Sequence, residues 1–119
     1  MQSYKDLTVW QRSIELVENV YKLTEKFPKT EMFGLTSQIR PAAVSIPANI
    51  AEGYARKHRA EYIQFIRIAY GSGAELETHI IISERLKFTD SKDLEKTKQL
   101  LDEVMRMLNK FISSLAPRP

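Results

Sequence analysis

Residues 91–115 read SKDLEKTKQLLDEVMRMLNKFISSL. Leu94, Leu101, Val104, Leu108, Phe111 and Leu115 recur at steps of seven, three and four residues, a spacing that lines up side chains on one face of an α-helix. Asp90 stands where an N-cap carboxylate accepts a first-turn amide, and Asp102 and Arg106 lie one turn apart as a favourable pair. An amphipathic helix cannot bury its apolar stripe alone, so the rest of the chain must cover it.

Three further helical patterns supply that cover. The first runs from about Leu7 to Lys26, with one stripe of Trp10, Ile14, Val17, Tyr21 and Thr24 and a second of Val9, Leu16, Val20, Leu23 and Phe27. Asp6 is its expected N-cap, and Pro28 ends it by disfavouring helical geometry at Phe27. The second begins between Met32 and Thr36 and runs toward Glu52, with Leu35, Ile39, Ala42, Ala43, Ile46 and Ile50 facing inward. Pro41 and Pro47 each remove an amide donor, Pro47 is expected to kink or interrupt the helix, and Gly53 is expected to stop it in the left-handed conformation. The third spans about Arg59 to Lys87 on Tyr62, Phe65, Ile66, Ala69, Leu76 and Ile80. Gly71 and Gly73 inside it each cost about 1 kcal/mol relative to alanine, which predicts a compensating close helix contact. Short connections make sequential helices antiparallel, so the expected fold is all-α, an up-down-up-down four-helix bundle over residues 1–116 followed by a disordered tail at 117–119.

Composition narrows the function. The chain has 119 residues, 43% of them hydrophobic, enough for one core. It has no cysteine, which removes disulfides, thiolate metal sites and thiol nucleophiles, and a cytoplasmic location is the expectation. No run approaches the roughly 20 apolar residues of a membrane span, so a membrane partner is not expected.

Charge is concentrated in one place. Residues 1–52 carry six basic and six acidic side chains and residues 61–119 carry nine of each, so the net +3 falls entirely on Arg56, Lys57 and Arg59, beside His58. Screening over about 8 Å makes such a cluster matter more than the global charge. Read as lying just before the third helix, these cations oppose its macrodipole, and a docked phosphate would relieve the conflict. A merely solvated turn is the competing reading.

Catalytic patterns are missing. Neither histidine completes a Glu-x-x-His motif, and Glu75 beside His79 gives too few ligands for a metal. Gly71-Ser72-Gly73 follows no strand and has Leu76 where a dinucleotide fingerprint needs its third glycine. Ser45, Ser72 and Ser83 have no base partner in the pattern. No catalytic residue, metal, cofactor or small-molecule substrate is inferred. Tyr4, Trp10, Phe33, Tyr54, Tyr70 and Phe88 exceed what a narrow bundle seam buries, which points to self-association.

Longer motifs carry a resemblance. Asp6-Leu7-Thr8-Val9-Trp10-Gln11, Phe33-Gly34-Leu35, Ser45-Ile46-Pro47-Ala48-Asn49-Ile50-Ala51-Glu52-Gly53 and Ala69-Tyr70-Gly71-Ser72 closely resemble the four-helix-bundle family of 23S rRNA-intervening sequence proteins, to which the accessory protein of diversity-generating retroelements is related. The resemblance covers about residues 4 to 88. It implies a homopentameric ring, no known catalysis and, in the retroelement branch, a basic surface that binds nucleic acid and a reverse transcriptase. Pro41 stands where the family often has a second arginine, and Gly73 where a larger apolar residue is usual. Candidate nucleic-acid contacts are Arg40, Arg56, Lys57 and Arg59; Pro47, Asn49, Glu52 and Gly53 read as structural, with Glu52 paired to Arg40 or a neighbouring subunit. The expected function is a non-enzymatic, ring-forming adaptor for RNA or a nucleic-acid enzyme, against the alternative of a structural protein-interaction module that binds no nucleic acid.

Overall fold

A computed structural model describes residues 3–116 of the chain. Four helices make up nearly all of it: α1 (Thr8–Glu25), α2 (Thr36–Arg56), α3 (Arg59–Arg85) and α4 (Ser91–Leu115). Short 3₁₀ turns at Tyr4–Asp6 and Lys29–Phe33 precede α1 and α2. The tail expected at residues 117–119 lies outside the described residues.

Cross-helix contacts fix the direction of every pair. Arg40 near the start of α2 reaches back to Thr24 at the end of α1, while Tyr54 at the other end of α2 meets Tyr4 just before α1. Ser72 of α3 reaches Ser45 of α2, while Tyr62, earlier on α3, lies against Gly53, later on α2. Lys98 meets Glu84 near the α3–α4 turn, while Arg59, at the far end of α3, meets Leu115. Lys26, the C-cap of α1, and Arg12 within it pair with Asp93 and Glu103 of α4 in the reverse order. All four neighbouring pairs are therefore antiparallel, and α4 closes against α1 to give the up-down-up-down bundle, 45 × 24 × 21 Å. Leu16, Val20, Ile39, Ile46, Ile50, Ile66, Leu76, Ile80, Leu94, Val104 and Leu108 fill its axis, each at most 1% exposed. The second stripe of α1 is the one turned into this core; Trp10, Ile14 and Val17 of the first sit half-buried at the bundle's edge.

Helix ends show which local signals prevail. Asp90 caps α4 as expected, its carboxylate accepting the Asp93 amide at 2.9 Å. Asp90→Ala should cost about 1 kcal/mol, measured as a lower urea midpoint at unchanged slope. At α1 the expectation fails: Leu7, buried and extended, is the N-cap, and Asp6 belongs to the 3₁₀ turn before it. The buried Leu7 side chain sets the entry point, and its carbonyl accepts the Gln11 amide at 3.1 Å.

Two expectations for α2 are also corrected. Pro47 does not interrupt it: the helix runs through both Pro41 and Pro47, although each proline lacks the amide that would serve the carbonyl four residues earlier. Pro47 is buried, so packing holds the helix across it. Gly53 does not stop α2; it is buried within it, and the helix continues one further turn to Arg56. A Cβ on Gly53 would lie 2.7 Å from the Phe65 Cβ and 3.1 Å from Tyr62 Cδ1, so this glycine exists for close approach of α3. In α3 the expected close contact belongs to Gly73, whose added Cβ would meet Met105 of α4; Gly71 faces open space.

Candidate functional site

The basic cluster forms the corner between α2 and α3. Arg56 completes the last turn of α2, Lys57 takes a left-handed conformation at φ 55°, and an extended His58 leads into α3 at Arg59. Because α2 reaches Arg56, the supposed conflict with a helix dipole is removed for two of the three cations. Arg56 and Lys57 lie at the C-terminal end of α2, where positive charge is favourable. Arg59 turns away from its own helix and donates to the carbonyls of Leu115 at 2.8 Å and Ser114 at 3.2 Å, capping the end of α4.

The three cations differ in availability. Arg56 has its Nε 3.5 Å from the Glu52 carboxylate and its guanidinium 5.2 Å from the Phe65 ring centre. Lys57 makes no ion pair among the described residues and is exposed. Beside it opens a cleft of about 410 Å³ lined by Tyr54, Lys57, His58, Arg59, Tyr62 and Leu115, with no carboxylate in its wall. Its aromatic side continues inward, with Tyr54 edge-on to Tyr62 at 6.0 Å and Tyr62 edge-on to Phe111 at 5.3 Å. Burial pushes the Tyr62 phenol up to about 12, and its hydroxyl is buried with no hydrogen-bond partner among the described residues.

The fold does not bring Arg40 to this corner. It lies sixteen residues earlier on α2, about 24 Å of helical rise away, where its Nε donates to Thr24 Oγ1 at 2.8 Å and its guanidinium lies 4.5 Å from the Tyr21 ring centre. The Ser45–Gly53 motif is a seam between α2 and α3. Asn49 donates to the Ser45 carbonyl at 2.7 Å and to its hydroxyl at 2.8 Å, and Ser72 donates to that hydroxyl at 2.9 Å. Glu52 pairs with Arg56 and not with Arg40.

Elsewhere the chemistry is sparse. His79 approaches Glu75 at 3.3 Å, and no group of three or more His, Asp or Glu side chains able to hold a metal occurs among the described residues. No described helix is long and apolar enough to cross a membrane. Of the aromatic residues expected to mediate self-association, Tyr4, Trp10, Tyr54 and Phe88 pack against the core, Tyr70 is 36% exposed and Phe33 is 93% exposed. Ile68 and Ile82 of α3 and Leu86, its C-cap, which the periodicity does not single out, are exposed as well and fall on one side of the helix at 100° per residue. Their only sequence signal is being apolar off the core stripe.

The chain matches the family model described as 23S rRNA-intervening sequence protein over residues 5–110. Its fold is similar to the crystal structure of a protein of unknown function from the S23 ribosomal protein family of Bacteroides thetaiotaomicron, with a TM-score of 0.82 and 24% identity over 88% of this chain and 98% of that one. No curated protein matches.

Proposed function

Since the chain belongs to the family of 23S rRNA-intervening sequence proteins, we propose that it is a non-enzymatic, self-associating cytoplasmic adaptor that engages RNA through the corner between α2 and α3. One observation carries this reading: Lys57 and Arg59 line a cleft that has tyrosine rings and no carboxylate in its wall, with Arg56 next to Lys57 at the end of α2. Cations supply phosphate affinity, and aromatic faces accept unpaired bases. A single corner binds weakly, so the reading includes assembly into a ring, by family resemblance a pentamer, whose repeated corners raise the effective concentration.

The test is fluorescence anisotropy of labelled ribosomal RNA fragments at low and physiological salt, with native protein and an Arg56, Lys57, Arg59 triple alanine variant. The variant should bind more weakly, with a salt slope shallower by about one per cation removed. Arg59→Ala also strips the cap from α4, so an Arg56→Gln, Lys57→Gln double variant, which leaves that cap in place, should show about two thirds of the effect. Native protein that binds no RNA at either salt would sink the reading. A module for protein partners alone would then stand, favoured by the exposure of Phe33, Ile68, Ile82 and Leu86.

A further inference from the structure

A second cationic surface appears only when the chain is folded. Lys22, in the last turn of α1, and Lys26, its C-cap, lie one turn apart, as do Lys92 and Lys96 on α4. Antiparallel packing of these helices sets all four around one surface groove of about 290 Å³. Asp93 is the single carboxylate in its wall, and it is engaged by Lys26 at 3.4 Å. Lys22, Lys92 and Lys96 are exposed and form no ion pair among the described residues. Glu18, Glu25 and Glu95 occupy the same helices without lining the groove.

From this placement we infer that the α1–α4 lysine groove is a second contact for the RNA phosphate backbone, at the end of the bundle opposite the α2–α3 corner. The inference rests on the RNA reading above and adds a site to it. Each wall carries a like-charged pair at i and i+4, which destabilises an isolated helix, and Lys92 sits in the first turn of α4, against the helix dipole. At Lys92 and Lys96 a bound polyanion removes repulsion that the folded chain otherwise carries, whereas Lys22 and Lys26, at the C-terminal end of α1, are held in place by that helix's dipole and, for Lys26, by Asp93. The ammonium groups are compact point charges on flexible stems, suited to phosphate oxygens of variable position, whereas a planar carboxylate is better held by arginine forks. Two lysines on each wall face a strand that presents negative charge every few ångströms.

The test compares two variants that each lose three positive charges. Lys22→Gln, Lys92→Gln, Lys96→Gln leaves the Lys26–Asp93 pair intact; a control places glutamine at Lys5, Arg67 and Lys110, three exposed cations outside both regions. Helical content by circular dichroism verifies folding of both. With native protein binding RNA, the groove variant should lower the salt slope by about three and weaken binding at least tenfold at physiological salt, while the control changes neither by half as much. A groove variant that binds like native protein overturns the inference and leaves the corner reading standing. An equal loss in the control overturns it too, since net charge alone would then explain the effect. Polyglutamate that displaces RNA from native protein at equal charge concentration, and loses that ability in the groove variant, assigns the groove to acidic protein instead. Native protein that binds no RNA ends both proposals together.

Discussion

Alanine at Gly53 should destabilise the fold by about 2 kcal/mol, lowering the thermal midpoint by roughly 10 °C, whereas alanine at Gly71 should raise stability by about 1 kcal/mol. Helix propensity alone gives both substitutions the same sign, because both glycines are interior to helices. Packing separates them. The new methyl at Gly53 would sit 2.7 Å from the Phe65 Cβ, an atom that moves only with the α3 backbone, and 3.1 Å from Tyr62 Cδ1. Relief requires α2 and α3 to part, which also strains the Ser72–Ser45 hydrogen bond between them. At Gly71 nothing lies within 4 Å, so the methyl only removes unfolded-state freedom. Thermal and urea unfolding of both variants at one protein concentration measures the pair. A Gly53→Ala protein as stable as native would show that this close approach does not constrain the bundle.

The same glycine explains why one helix boundary was illegible. Gly53 after Glu52 carries the local signature of a helix stop, and nothing in a one-dimensional pattern tells a left-handed C-cap from a site of close packing. The residue that does turn the chain, Lys57, is a lysine at φ 55°, and Lys87 repeats this at φ 62°. By contrast α4 was readable to the residue, because its cap is a side-chain hydrogen bond and its core stripe is regular. Site residues follow the same division. Arg56, Lys57 and Arg59 are neighbours in sequence and remain neighbours in space, but Arg40, grouped with them by charge, is spent on Thr24 and Tyr21 toward the other end of α2. The groove lysines stand about seventy residues apart in two segments whose charges each cancel, so only the closure of α4 on α1 assembles them.

On the proposal that the chain self-associates, Phe33→Asp should leave it monomeric, seen by light scattering coupled to size-exclusion chromatography, while changing the unfolding free energy of the dissociated subunit by no more than about 0.5 kcal/mol. Phe33 is 93% exposed, so its ring contributes almost nothing to the core. Its backbone is nonetheless firmly placed: Gly34 N–H donates to the Glu31 carbonyl at 3.0 Å, Leu35 N–H to the Glu31 carboxylate at 3.0 Å, and the Ser37 hydroxyl to the Gly34 carbonyl at 2.6 Å. A large apolar ring displayed on a hydrogen-bonded corner has little ordering entropy left to lose on association, the property of an interface anchor. Burying it would contribute about 2 to 3 kcal/mol per contact, a factor of roughly 30 to 150 in each subunit dissociation constant, and aspartate adds the cost of an unpaired charge. In a ring every subunit has two such contacts, so the loss compounds and closure fails. RNA affinity should fall with it even though Phe33 lies far from the α2–α3 corner, because the corners would no longer act at high effective concentration. An unchanged assembly in Phe33→Asp, broken instead by Ile68→Asp, would move the interface to the outer side of α3, and a native protein that is monomeric at micromolar concentration would remove the ring altogether.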